Sequence, residues 1–277
     1  MRKDGKRVHD VDMMYSIIPY IMKQRYDAMN MIEIDIPIAK MQAYLNQKRK
    51  EGFHMSHLGV VLAAYLRTAA EYPLLNRFVV NKRIYARNEF PVSMVVLKPG
   101  ETDGTMSKMY FDMDDTIFDV HKKMDEYIES NRQAGDTNKT DDLMRTLLKI
   151  PGLVNVGVGL FKLLDRYGLL PKSIIDASPF HTSLVVTNLA SIRTNHIYHH
   201  LYEFGTSSIF VALGNMREVA KRVKGEIVFE RCLPMGIVMD ERICSGSYFA
   251  RVFHRFRQYL LDPALLEAPP RVVNVDE

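Results

Sequence analysis

Between positions 181 and 247 the chain concentrates side chains that can move protons or attack carbon. The run Met239-Asp240-Glu241-Arg242-Ile243-Cys244-Ser245-Gly246-Ser247 sets carboxylates beside a guanidinium, a thiol and hydroxyls. A carboxylate can take a proton from a nucleophile, and a hydroxyl can donate to the negative charge that grows on an attacked carbonyl. Cys244 invites a nucleophile role, but its flanks place it among core side chains, where a small buried cysteine behaves as a hydrophobe. Upstream, Thr187 sits in an apolar run with His181 before it and His196, His199 and His200 after it. In a strand, residues 181, 183, 185 and 187 share one face, so His181 could point the same way as Thr187; Pro179 can break the strand there. Each histidine taken singly also fits a packing or surface role.

The elements that must hold these residues follow from periodicity. Asp12 to Met29 reads as helical, and Met31-Ile32-Glu33-Ile34-Asp35-Ile36 alternates as a half-buried strand. Ile38 to Glu51 is a helix stopped at Gly52, and His57 to Glu71 is a longer apolar helix closed by Tyr72-Pro73. Val79 to Tyr85, Val92 to Leu97 and Met106 to Met113 read as strands, and Asp114-Asp115 can cap a helix running to about Arg132. Gln133 to Thr140 is a polar loop. Asp141 to Leu170 is strongly apolar, with Pro151 and glycines at 152, 157, 159 and 168 expected to break it into short helices. Strands at Ser183 to Thr187, Ser207 to Leu213, Glu226 to Glu230 and Gly236 to Met239 precede a last helix, Ser247 to Leu261. Alternation of the two element types implies an α/β or α+β domain.

Composition removes several function classes. The chain has 277 residues, 47% hydrophobic and 25% charged, ordinary for a globular protein with a sizeable core. Net charge is +4, and the basic clusters Lys48-Arg49-Lys50 and Lys221-Arg222-Val223-Lys224 are short, so nothing supports a nucleic-acid footprint. Two cysteines give neither a disulfide framework nor metal-ligand spacing. With no signal peptide and no stretch near the ~20 apolar residues that span a bilayer, a reduced, cytoplasmic protein is expected.

The segment 239–247 resembles the active-site motif of the chloramphenicol acetyltransferase and dihydrolipoyl acyltransferase superfamily, which reads Asp-His-Arg-x-x-Asp-Gly. Glu241 stands where that family has its catalytic His, and Ser245 where it has Asp or Asn. Other fragments resemble the family in the same order: Tyr72-Pro73-Leu74-Leu75-Asn76, Phe90 to Leu97, Leu184-Val185-Val186-Thr187-Asn188-Leu189, and the closing Leu261-Asp262-Pro263-Ala264-Leu265-Leu266. The resemblance implies a chloramphenicol acetyltransferase-like α+β two-layer sandwich, a mixed sheet flanked by helices, over a single domain 1–277. It implies coenzyme A or acyl-CoA, no metal, and a homotrimer with sites between subunits. No lipoyl-bearing or subunit-binding segment precedes the matched region, so a stand-alone catalytic-type domain is expected.

By that resemblance Thr187 would stabilise the oxyanion, Glu241 or a borrowed histidine such as His181 would act as base, and Ser245 would hydrogen-bond in place of the acid. Asn188, His199, His200, Arg242 and Gly246 would line the channel, Gly246 preserving a turn through positive φ. Arg242 would pair with a carboxylate, Asp240 being the nearest, or else face Glu241, which would then merely fill the old site in a salt bridge. A free Glu has pKa ~4.3 against ~8.5 for a thiol, a worse match than His, which adds roughly 2–3 kcal/mol to proton transfer before any tuning. Between the helix ending near Arg132 and the strand near Ser183 this chain carries an insertion, 133–177, that the family does not need. It reads first as a helical hairpin packed on the body or a subunit interface, then as a lid over an acyl channel, and third as a membrane-surface contact through 141–170. Two functions stay open: an acyl-CoA-dependent acyltransferase acting on an unknown acceptor with an altered base, and a non-catalytic trimeric binding or scaffold protein of the same fold.

Overall fold

The computed structural model describes residues 2–97, 104–132, 149 and 152–276. Expectations for Gln133 to Thr140, and for the first part of the apolar insertion, lie outside these residues. The strands are β1 (Gly5–Arg7), β2 (Met29–Pro37), β3 (Arg77–Val80), β4 (Arg83–Arg87), β5 (Phe90–Leu97), β6 (Gly104–Phe111), β7 (Leu184–Asn188), β8 (Ile209–Leu213), β9 (Arg217–Val223) and β10 (Glu226–Asp240). The helices are α1 (Met13–Ile21), α2 (Ala39–Lys50), α3 (His57–Glu71), α4 (Ile117–Arg132), α5 (Leu153–Arg166), α6 (Lys172–Ala177) and α7 (Gly246–Leu261).

A seven-stranded mixed sheet runs β2-β10-β8-β7-β5-β6, with β9 also on β10, and a small sheet runs β1-β4-β3. Strand β7 is parallel to both β5 and β8, while β10 is antiparallel to β2 and β8. One face of the large sheet carries the main core, to which α3 and α7 contribute Leu66, Val252 and Phe256 opposite Ile36, Val186 and Ile237. Helix α3 is buried from Leu58 to Ala70, which explains its unbroken apolar sequence. Gly59 is required on α3 because a Cβ there would lie 2.1 Å from His121 Nε2, and that nitrogen accepts from Ser56 N at 3.1 Å. The other face carries a smaller cluster of Val185, Phe210, Ala212, Val238 and Leu201.

Several expectations are corrected. The strand expected at Val79 to Tyr85 is a hairpin, β3 and β4, turned by Asn81 and Lys82 at φ 49° and 61°. Both turn residues take positive φ without a glycine, so the usual hairpin signal is missing from the sequence. The fragments Glu226 to Glu230 and Gly236 to Met239 form one strand, β10, and its partner β9 carries too many charges to alternate visibly. Helix α5 continues through Gly157 and Gly159, and of the four glycines Gly152 (φ 80°) and Gly168 (φ 71°) mark breaks; Pro151 lies outside the described residues. The expected cap Asp115 instead accepts from Asp112 N at 2.9 Å and pairs with Lys123, while Asp119 accepts from Thr116 N.

Candidate active site

Strand β10 ends at Asp240, and the chain turns through Glu241-Arg242 into α7. Asp240 and Arg242 are both buried and form a two-pronged pair, Nε to Oδ1 at 2.8 Å and Nη2 to Oδ2 at 2.6 Å. Arg242 Nη1 also donates to Met22 O at 3.2 Å. The carboxylate and guanidinium thereby satisfy each other, the condition under which buried charge is tolerated. Of the two partners open to it, Arg242 takes Asp240, and the expectation that Glu241 fills the site in a salt bridge is corrected: among the described residues Glu241 is in none.

Glu241 is half-buried. Its backbone N donates to Ala28 O at 2.9 Å, and its Oε2 accepts from Asn30 Nδ2 at 2.5 Å. Among the described residues no cation lies within ion-pair distance of it. Tyr15 lies close by, its phenol pushed up by burial, with lesser contributions from Cys244 and Glu241. Asn30 and Tyr15 carried no signal in the sequence; they reach the site because β2 pairs with β10 and α1 precedes β2.

Ser245 caps α7, its Oγ accepting from Tyr248 N at 3.2 Å and lying 3.0 Å from Ser247 Oγ. Gly246 opens the helix without positive φ, and a Cβ there would meet nothing within 4 Å, so the expected glycine turn is absent. The dihedral break falls instead on Ser245, extended at φ −70° and ψ 156°, which any residue adopts. Cys244 is buried, and burial pushes its thiol far up, consistent with a core role.

Thr187 stands near the end of β7, half-buried, on the face shared by Val185. Its register partner is Ala212 on β8, which pairs with Gly236 on β10, which pairs with Glu33 on β2. Above this row lies the segment 193–205. Gly236 is required there because a Cβ would stand 2.4 Å from Ile197 O. His196 Nε2 lies 3.5 Å from Glu33 Oε2, and its buried Nδ1 has no hydrogen-bond partner among the described residues. His199 stacks on Phe210 at 4.2 Å with Nδ1 2.8 Å from His200 O, and His200 is exposed beside Tyr202. Asn188 closes β7, its carbonyl accepting from Ser191 Oγ at 2.6 Å. Thr187, His196 and His199 therefore gather on one sheet face, while Glu241 lies beyond the end of β10. Among the described residues no hydrogen bond joins Glu241 and Thr187 within the chain.

His181 lies ahead of β7 rather than on it. Its Nδ1 is 2.9 Å from Ser178 Oγ and its Nε2 is 3.3 Å from Asp165 Oδ1. Burial pushes the imidazole down, and among the described residues only its Nδ1 is hydrogen-bonded, Nε2 facing Asp165 without hydrogen-bond geometry. It belongs to a buried network in which Arg2 joins Asp4 and Asp165. Burial pushes the Asp165 carboxyl up, but hydrogen bonds and charge from His181 and Arg2 outweigh it and hold the group at about 2. No group of His, Cys, Asp and Glu among the described residues could hold a metal ion.

No family model and no curated protein matches the sequence. Solved structures do resemble it. A probable dihydrolipoamide acetyltransferase from Listeria monocytogenes superposes with TM-score 0.58 at 10% identity, covering 99% of each chain. The cubic core of a pyruvate dehydrogenase multienzyme complex gives TM-score 0.58 at 11% identity, over 94% of this chain and 93% of that one. A chloramphenicol acetyltransferase gives 0.56 at 10% identity, over 92% and 99%. The chain therefore has the chloramphenicol acetyltransferase-like fold shared with the catalytic domains of dihydrolipoamide acetyltransferases.

Proposed function

We propose that the protein is an acyltransferase that moves an acyl group from a coenzyme A thioester to a thiol or hydroxyl acceptor, with Glu241 as base and Thr187 as oxyanion donor. The observation that carries this reading is the fate of Arg242. It is committed to Asp240, which leaves the Glu241 carboxylate held by the neutral Asn30 amide with no cation within ion-pair distance among the described residues. A plugged site would instead have paired Glu241 with Arg242.

Because Glu241 and Thr187 make no mutual contact within one chain, the reading places them together across a subunit boundary in a homotrimer. The cubic core of a multienzyme complex among the structural neighbours supports assembly from several copies. Coenzyme A would supply the thioester. Glu241 would take the acceptor's proton as its nucleophilic atom closes on the acyl carbon, and the Thr187 hydroxyl would donate to the oxygen that becomes negative. Return of the proton from Glu241 would let the thiol leave. Two reduced cysteines, and the lack of a helix long and apolar enough to cross a membrane among the described residues, suit a cytoplasmic location.

One observation favours the opposing reading, a non-catalytic trimeric binding protein: Ser245, in the place of the family's acid, is spent as a helix cap. Release of free thiol from a panel of acyl-CoA species with small thiol and alcohol acceptors separates the two. Turnover that is lost in Glu241→Gln and Thr187→Val supports transfer. Turnover unchanged in both variants removes these residues from the mechanism.

A further inference from the structure

A cleft of about 480 Å³ opens between the segment that follows α1, the C-terminal part of α5, the β3–β4 turn and residues 203–205, and it reaches Arg242 of the candidate site. Its rim carries Lys23, Lys82, Lys162 and Arg166, all exposed, and none has a carboxylate within ion-pair distance among the described residues. Arg25 lines it as well, buried, with Nη1 and Nη2 given to the carbonyls of Tyr202, Glu203 and Val79 and with Nε unpartnered. The carboxylates of the cleft are already engaged. Asp165 pairs with Arg2, and Glu203 accepts from the backbone of Arg25 and Tyr26. Four exposed cations against the single carboxylate of Glu203, which is held by backbone N–H groups and no cation, leave the cleft net positive, with the buried Arg25 in its lining.

Two exposed apolar stripes flank it. On α5, Val156, Leu160 and Leu163 recur at helical spacing and continue into Tyr167, all exposed. On α1, Met13, Met14, Ile17 and Ile21 are exposed, Ile21 at 68%. Both helices reach the same turn: Tyr20 lies under Lys82 Nζ at 4.8 Å, and Arg166 Nε donates to Asn81 at 3.2 Å. Apolar stripes bordered by lysine and arginine are the composition of a surface that lies in the headgroup layer of a bilayer.

We infer that this cleft receives the phosphate of an anionic phospholipid, with the apolar stripes of α1 and α5 resting in the membrane surface. Charge complementarity selects this occupant. A second copy meeting this face about a two-fold axis would set one basic rim against another, and a second copy meeting it through a different surface is read out by the oligomeric state. A nucleic-acid backbone would leave the apolar stripes in water. The inference is independent of the acyl-transfer reading, and its test uses no coenzyme A.

The test is co-sedimentation of the full-length protein with phosphatidylcholine vesicles, with and without phosphatidylglycerol, and with inorganic phosphate as the soluble control. Binding is expected with the anionic vesicles alone. Lys82→Gln with Lys162→Gln should weaken it roughly fivefold for each cation removed, about 25-fold together, with an unchanged melting midpoint. Leu160→Ser with Leu163→Ser should also weaken it while the oligomeric state is unchanged. Equal affinity for both vesicle types, or indifference to the lysine pair, overturns the inference. So does binding of phosphate without vesicles, which makes the cleft a site for a soluble anion. Loss of an oligomer in the leucine variant also overturns it, because a second copy then covers the stripe.

Discussion

Replacing Arg242 by Met strands Asp240 in the core beside the candidate site. The Asp240 side chain is 0% exposed and that of Arg242 only 4%, and the two prongs measure 2.8 and 2.6 Å. Breaking a buried pair on one side costs about 3–5 kcal/mol, because the remaining charge is neither solvated nor paired. Here the lower end applies, since the Arg242 backbone N still donates to Asp240 at 3.1 Å and Arg25 still attracts it. At roughly 2 °C per kcal/mol for a chain of this size, the midpoint should fall by about 6 °C. Asp240→Leu alone should cost more, because it leaves both Arg242 and Arg25 buried without that carboxylate. The double variant Asp240→Leu/Arg242→Met should recover much of the loss, since neither member of the pair is then stranded. Urea unfolding of the three variants at pH 7 measures the cycle. A double variant as unstable as the sum of the singles, or an Arg242→Met cost below about 1 kcal/mol, refutes the argument that this pair shapes the turn.

Three further outcomes are expected. Thr187→Val should lower turnover by about 10²–10³-fold while leaving coenzyme A affinity intact, the mark of a donor used only in the transition state; loss of affinity instead would make Thr187 a binding residue. Asp165 is held at about 2 against an ordinary 3.8, so its contribution to stability is complete above 3.8 and is lost as pH falls towards 2. Asp165→Asn should therefore melt lower at pH 7 and show a flatter midpoint–pH curve between pH 4 and 2; parallel curves for the two proteins would contradict this. Cys232 and Cys244 are both buried with thiols pushed up, so a thiol reagent should label neither until the protein unfolds, and rapid native labelling would argue against a core role.

Much of the fold was legible because burial writes a periodic signal. Helix α3 is buried along its length and appears in the sequence between the residues the structure gives it. Strand β2 alternates because one face meets the core and the other carries Glu33 and Asp35 against Arg217. The β3–β4 hairpin and β9 were not legible, since Asn81-Lys82 turns without glycine and β9 is charged on both faces. The candidate site was legible only in part. Glu241, Arg242 and Thr187 stood out by their motifs, but Asn30, Tyr15 and Glu33 reach them by strand pairing over long separations in sequence. His181 looked like a neighbour of Thr187 only if the strand began before it. Pro179 and the pull of Asp165 take it into the buried network instead.

The central claim is tested most directly by thermal denaturation with coenzyme A and acetyl-CoA, on the native protein and on Glu241→Ala. A ligand at 100 times its Kd stabilises the native state by ~2.7 kcal/mol, a midpoint rise of about 5 °C at this chain length. The acyl-transfer account requires that rise for the native protein, and for Glu241→Ala as well, since the base is needed for chemistry and not for binding. No rise with any acyl-CoA would contradict it and leave a binding or scaffold protein that has the acyltransferase fold without the family's ligand.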